Sequence, residues 1–383
     1  MDAGGLEKKR TDDLLRLARQ KLHAYPYKDV PLCWRRLFTD ASIVKAAIMI
    51  QQFEEDNGND ELIVHTLDMA LIMAGAPGKG RREVVEKLLD ELNAAFSPPP
   101  PAKRQKMEEV RFDTTVAPPV EIQYPIPRHN NLSLGEFQRR LDTANTPIVI
   151  TDTLSHWPAL STRPWSSPAY LLSLTNRGKR LVPVEVGRTY TDPSWGQKII
   201  SFSEFLCTYM SGSGGETGYL AQHNLFSQIP ALRKDITIPD YCYSAPPPHP
   251  PNVASTPPLE EPMINAWLGP RGTVSPLHTD PYANVLAQVV GSKYIRLYAP
   301  EETERVFPRG IEEAGVDMGN TSRVEVEEEG GGEGLSEEER RVWKKAKYVE
   351  TVLREGEVLF IPAGWWHYVR SLEVSFSVSF WWN

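Results

Sequence analysis

The sequence predicts an α+β protein: a helical N-terminal region, then an antiparallel β sandwich or barrel. Three observations predict it. Apolar residues recur at helical spacing over 1–96, a proline-rich stretch fills 97–120, and from 121 to 383 short runs alternate apolar and polar residues. A chain of 383 residues is long enough to bury a sizeable core in each part.

In the first region Leu14, Leu17, Ala18 and Leu22 recur at helical spacing, as do Ile43, Ala47 and Ile50. Leu62, Leu67 and Leu71 follow less regularly. Val84, Leu88 and Leu92, with Val85 and Leu89 beside them, mark a last helix, and Gly75 to Gly80 breaks the chain before it. The pattern gives four or five short helices in an all-α bundle without a strict repeat.

Residues 97–120 read as a linker. Pro98 to Pro101 form an extended spacer, and Lys103, Arg104 and Lys106 follow in PAKRQK. A short basic run beside prolines fits a nuclear-import signal and equally fits an ordinary solvated linker. MDAGGLEKKR has no apolar leader core, and no apolar run approaches a membrane span. A soluble protein of the nucleus or cytoplasm, without membrane contact, is expected.

The β region, 121–383, opens with the apolar run Ile148, Val149, Ile150. Val182, Val184 and Val186 alternate with Pro183 and Glu185, and Ile264, Ala266 and Leu268 alternate with other residues up to Gly269. Lys293, Ile295 and Leu297 share a face opposite Tyr294, Arg296 and Tyr298. The cleanest run is the last, where Val374, Phe376, Val378 and Phe380 alternate with Ser375, Ser377 and Ser379. Short strands with glycine and proline turns argue for a sandwich or barrel. Pro246 to Pro251 and Pro257-Pro258 cannot sit in a central strand, so 244–259 is a loop.

Three cysteines exclude a disulfide framework, leave too few for a zinc cluster and point to a reducing compartment. The formal net charge of −8 is concentrated: residues 301–341 hold fourteen acidic and five basic residues, so the remainder is nearly neutral. Direct nucleic-acid binding through bulk basic charge is not expected. The stretch 301–341, with EVEEEGGGEG at its centre, reads as a solvated, flexible acidic insertion.

One histidine, His278, is followed two residues later by Asp280. On a strand, residues i and i+2 face one side, so imidazole and carboxylate converge as one edge of a two-histidine, one-carboxylate Fe(II) site. Alone, such a pair is more often a surface hydrogen-bonding pair. His367 supplies a distant third group: in EGEVLFIPAGWWHYV a strand ends at Ile361, Pro362 to Gly364 turns, and His367 opens the next strand. A histidine packed among tryptophans is the plain alternative. If the Lys293 face points inward, its ammonium needs an anion, and no acidic residue lies near it in sequence. A bound small-molecule carboxylate fits; snorkelling of an edge-strand lysine competes. Ser275 and Asn284 flank the pair, and each can hydrogen-bond a carboxylate or keto acid.

These residues in this order resemble the JmjC-domain 2-oxoglutarate oxygenases. The likeness is carried by INAWLGPRGTVSPLHTDPYANVLAQVVGSKYIRLYAP and GEVLFIPAGWWHYVRSLEVSFSVSFWW, with VPVEVGRTYTD, GYLAQHNLFSQIP and IPDYC as further matches. It is strong over 121–300 and 347–383 and fainter in the helical region. The loop 244–259 and the glycine- and glutamate-rich segment near 325–340 depart from it. The resemblance implies a double-stranded β-helix, with His278, Asp280 and His367 as iron ligands. Tyr219, Ser275, Asn284, Lys293 and Trp381 match its 2-oxoglutarate contacts, Lys293 pairing with the distal carboxylate. It implies Fe(II), 2-oxoglutarate and O2 as the cofactor set.

The substrate it implies is a protein or peptide presenting arginine. Glu185, which pattern alone reads as exposed on a half-buried strand, matches a position that meets a guanidinium, and a carboxylate suits that fork. Gln222, Trp267 and Trp195 would line the same pocket. The expected reaction is arginyl C3-hydroxylation. A histone N-methyl-lysine demethylase of the same fold and a non-catalytic binding module are the alternatives.

Overall fold

The computed structural model describes residues 3–52, 60–95, 110–192, 194–212, 215–248, 250, 253, 256–311, 315–328 and 331–383. The prolines at 98–101 and the basic run at 103–106 lie outside the described residues. The chain forms two compact units. One comprises Met1–Val110, Ala169–Val182 and Ile199–Phe205; the other comprises Arg111–Pro168, Pro183–Lys198 and Leu206–Asn383. No helix among the described residues is long and apolar enough to cross a membrane.

The first unit is built on α1 (Ala3–Leu22), α2 (Leu32–Gln51), α3 (Asp60–Ala74) and α4 (Arg81–Ala95). Packing selects among the periodic residues. Ala18 and Leu22 are buried while Leu14 and Leu17 are exposed; Val85, Leu89 and Leu92 form the buried stripe of α4 while Val84 faces out. A helix packed by one face buries one stripe, and a neighbouring stripe about 100° round the helix stays wet. α3 stops where Gly75 takes φ 74° and donates its N–H to Leu71 O at 2.9 Å, a left-handed end that suits glycine. Asp68 and Arg180 form a buried ion pair in this unit, Nη2 to Oδ1 at 2.8 Å, with Arg180 Nε 2.9 Å from each carboxylate oxygen. The Leu181 N–H donates to the same carboxylate at 2.7 Å.

The strands are β1 (Arg128–Asn130), β2 (Ile148–Thr151), β3 (Leu181–Val186), β4 (Gly196–Ser201), β5 (Gly218–His223), β6 (Met263–Gly269), β7 (Val274–His278), β8 (Ala283–Val290), β9 (Lys293–Tyr298), β10 (Tyr348–Leu353), β11 (Val358–Ile361), β12 (Trp366–Ser371) and β13 (Ser375–Trp382). The larger sheet runs β1-β2-β11-β8-β13-β6-β5-β3-β4 and the smaller β10-β9-β12-β7. The pairings that build the interior are antiparallel, as the alternation predicts. Leu286 and Ile361 of the larger sheet meet Ile295, Leu297 and Val369 of the smaller one in a shared interior.

In β13 both faces are buried over all eight residues. Its aromatic side packs outward, Phe376 stacking on Trp165 at 4.3 Å and Phe380 meeting Trp157 at 6.0 Å. Its serine side therefore lines the interior. Helix α5 (Leu134–Thr143), opened by the Ser133–Glu136 capping box, covers the same outer face by setting Phe137 5.0 Å from Phe360.

The acidic stretch differs from its sequence reading: its described residues are not solvated throughout. Val306, Val324, Val326 and Leu335 are buried and cover the outer side of the smaller sheet together with Trp343, against Leu277, Tyr294 and Trp366. Helix α6 (Glu337–Trp343) starts on a second capping box, Ser336 with Glu339. Average composition hid this, because a few widely spaced apolar residues suffice for a buried face while the acids between them stay outside.

Candidate active site

β7 and β12 are neighbours whose register sets His278 opposite His367, with ring centroids 4.1 Å apart. β12 also pairs with β9, setting His367 beside Leu297 and Ser371 beside Lys293. Asp280 follows the end of β7, and its Oδ2 lies 3.4 Å from His367 Nε2. One donor atom from each of the three residues lies within 4.8 Å of the others.

Carbonyls of their own strands orient both rings: His278 Nδ1 is 2.7 Å from Pro276 O, and His367 Nδ1 is 3.0 Å from Trp365 O. A carbonyl oxygen only accepts, so each Nδ1 carries a proton and turns Nε2 toward the shared site, where it offers a metal its lone pair once free of a proton. Burial, then the neighbouring His367, lowers His278 to about 4, so this ring is neutral at ordinary pH. Burial pushes Asp280 up, but the His367 bond and both imidazoles outweigh it and hold the carboxyl below its usual range. Imidazole nitrogens with one carboxylate and open positions suit Fe(II).

A cavity joins these groups to Lys293. Ser275, Lys293 and Val369 line it from the smaller sheet, and Tyr219, Trp267 and Asn284 from the larger. Lys293 is 2% exposed, so its strand face does point inward. Its Nζ donates to the Tyr219 hydroxyl at 3.1 Å, and among the described residues no carboxylate pairs with it. Burial lowers this ammonium to about 7. Burial, then Glu185, raises the Tyr219 phenol, which stays protonated. Asn284 Oδ1 and Trp381 Nε1 are enclosed without hydrogen-bond partners among the described residues. Trp381 lies one pleat beyond Ser379 on the same strand face and stacks on Tyr282 at 5.7 Å. An ammonium without an anion and the orphaned indole N–H of Trp381 fit a small dicarboxylate such as 2-oxoglutarate beside a metal, while Asn284 Oδ1 asks for a donor.

Glu185 lies in register with Tyr219 across β3 and β5. It is half-buried rather than exposed, Trp195 Nε1 donates to its Oε2 at 3.4 Å, and burial raises its carboxyl against that bond. The Trp267 ring is 6.1 Å from that of Tyr219, and its Nε1 donates to Ser379 Oγ at 2.9 Å. The structure thus gathers Glu185, Trp195 and Trp267 around Tyr219. Gln222 is exposed, in a bulge between Leu220 and His223 with φ 47°.

Sequence reasoning passed over Leu286, Ile361 and Ser379, which also line the cavity. An aliphatic residue or a serine on a strand carries no chemical signature. It also passed over Tyr190, in the loop after β3. Burial raises that phenol to about 12 against a bond to Thr321, with Asp280 and Glu185 adding to the rise. The acids on either side were already singled out, and an aromatic residue in GRTYTD was the available signal.

Comparison with known proteins agrees with this geometry. The family model described as a cupin-like domain matches residues 134–383. Over 370 residues the chain is 38% identical to lysine-specific demethylase 8 of Danio rerio, spanning 95% of this chain and 84% of that protein. Over 262 residues it is 41% identical to Jumonji C domain-containing protein 5 of Drosophila melanogaster, spanning 67% of this chain and 60% of that protein. It is 24% identical over 275 residues to the bifunctional peptidase and (3S)-lysyl hydroxylase JMJD7 of Homo sapiens, spanning 64% of this chain and 80% of that protein.

Proposed function

The chain belongs to the cupin-like JmjC family of 2-oxoglutarate-dependent dioxygenases, and from that premise we propose that it is an arginyl C3-hydroxylase of protein substrates. In this reading His278, Asp280 and His367 hold Fe(II) through Nε2, a carboxylate oxygen and Nε2. With iron and 2-oxoglutarate bound, the chemistry supplied is oxidation of a C–H bond to C–OH by O2, coupled to conversion of 2-oxoglutarate to succinate and CO2.

The protein's own residues place the reactants. Lys293 and Tyr219, with Ser275, hold the far carboxylate of the co-substrate; Asn284 and Trp381 hold its other end. The observation that carries the arginine assignment is Glu185. It is a half-buried carboxylate in register with Tyr219, and the indole N–H of Trp195 donates to it. A guanidinium offers such a carboxylate a planar, two-pronged partner, and desolvation makes that pairing selective. Trp267 and Trp195 flank the substrate side chain, and Gln222 meets the peptide at the surface. Residence in the nucleus or cytoplasm is part of the same reading and rests on PAKRQK.

The test is mass spectrometry of matched arginine and methyl-lysine peptides incubated with protein, Fe(II), ascorbate and 2-oxoglutarate. One added oxygen on arginine, with succinate released, is expected. Glu185→Ala should slow peptide turnover and leave 2-oxoglutarate affinity intact. Formaldehyde from methyl-lysine beside untouched arginine would replace this reading with N-methyl-lysine demethylation, which the name of the Danio rerio relative favours. A non-catalytic binding module would turn over neither peptide and bind no iron.

A further inference from the structure

The 2-oxoglutarate reading leaves one buried polar group unused. Asn265 of β6 is 5% exposed, and its Nδ2 is enclosed without a hydrogen-bond partner among the described residues. β6 runs in unbroken register along β13, with Asn265 opposite Ser379 and Trp267 opposite Ser377. Opposed residues share a sheet face, and so do residues two apart on one strand. Ser379 and Trp267 both line the cavity, so Asn265 is on its cavity side. One pleat along β13, Trp381 sits opposite Asn284. Trp381 Nε1 and Asn284 Oδ1 are the other two orphans of this wall. Three unsatisfied polar groups thus occupy the adjacent strands β6, β13 and β8, on the sheet that faces the metal-ligand sheet. Each destabilises the fold while it lacks a partner; the two donors, Asn265 Nδ2 and Trp381 Nε1, call for one acceptor near that end of the wall, while Asn284 Oδ1 calls for a donor.

We propose that Asn265 is a further positioning residue for the co-substrate: its side-chain amide donates to the carboxylate at the metal end of the 2-oxo acid, beside Trp381 and Asn284, while Lys293 holds the far carboxylate. The inference rests on the 2-oxoglutarate reading of the site. An amide Nδ2 and an indole Nε1 only donate, so the missing partner is an acceptor. A 2-oxo acid brings carboxylate oxygens to that wall. A peptide carbonyl would bring the same chemistry, and the experiment separates the two.

The full chain loaded with redox-inert Zn(II) is titrated calorimetrically with 2-oxoglutarate. Asn265→Leu keeps the shape and removes the donor. It is expected to weaken 2-oxoglutarate about tenfold while Zn(II) affinity is kept. Melting of the unliganded variant should hold or rise, because an orphaned polar group has gone. A residue that merely packs would instead lower the melting temperature and leave the affinity alone. Asn265→Ala repeats the measurement where leucine is not accommodated. Unchanged 2-oxoglutarate affinity in a folded variant overturns the inference. Weakened substrate-peptide binding at unchanged 2-oxoglutarate affinity also overturns it, assigning Asn265 to the peptide. Lys293→Met is the control: loss of 2-oxoglutarate there, with none at Asn265, removes this inference alone. Failure of the unsubstituted protein to bind 2-oxoglutarate removes the underlying reading as well.

Discussion

Arg180 and Lys293 are both buried cations, 4% and 2% exposed, and the two units hold them in opposite ways. In the helical unit Arg180 is matched by Asp68, which also accepts the Leu181 N–H. In the barrel unit, among the described residues, Lys293 has only the Tyr219 hydroxyl, on a cavity that runs to three groups placed to hold a metal. A buried charge that the chain completes by itself marks architecture. One left incomplete marks a place where something else must arrive.

The widest test of that contrast is His278→Ala. Removing a metal ligand should abolish turnover and Fe(II) binding while circular dichroism and melting are kept; parental activity would break the contrast outright. In the helical unit, Asp68→Ala strands Arg180 without its anion. It should cost about 3–5 kcal/mol in urea denaturation, with 2-oxoglutarate affinity per folded molecule unchanged. Lys293→Met should act with the reverse sign. Melting of the unliganded protein holds or rises, and 2-oxoglutarate affinity, read by titration calorimetry, falls about a hundredfold. A lowered melting temperature with intact affinity would show that Lys293 is structural after all.

The smallest effect is one of pH. Burial pushes the folded Lys293 ammonium down to about 7, below the ordinary 10.5. Between those values the unfolded chain binds a proton that the folded chain does not, so unliganded stability rises with pH across the window. The dicarboxylate needs the charged form, so its affinity should fall as pH climbs past about 7, by up to tenfold per unit. Calorimetry from about pH 6 to 9 checks both trends, and a flat affinity profile would mean the ammonium is not its partner.

What was legible in the sequence follows the same division. His278 and Asp280 were visible because strand geometry forces residues two apart onto one side. His367 was visible because a turn delivers it onto the neighbouring strand. Lys293 stood out as a charge on an otherwise aliphatic face. Asn265 and Ser379 stayed hidden, since only the register of β6 on β13 turns them toward the cavity. The burial of both faces of β13 was not legible, because alternation reports that two faces differ and not what covers either. The acidic stretch misled because Val324, Val326 and Leu335 are too sparse to raise the average of a segment dominated by glutamate.

The pairing of β12 on β9 carries one more consequence. His367 meets Leu297 and Ser371 meets Lys293, so four residues, about 13 Å of strand, separate the two anchor points. That interval is written into the backbone ladder, where no exchange of side chains can rewrite it. With 2-oxoglutarate held as proposed, a diacid one methylene shorter should bind more weakly across that fixed interval.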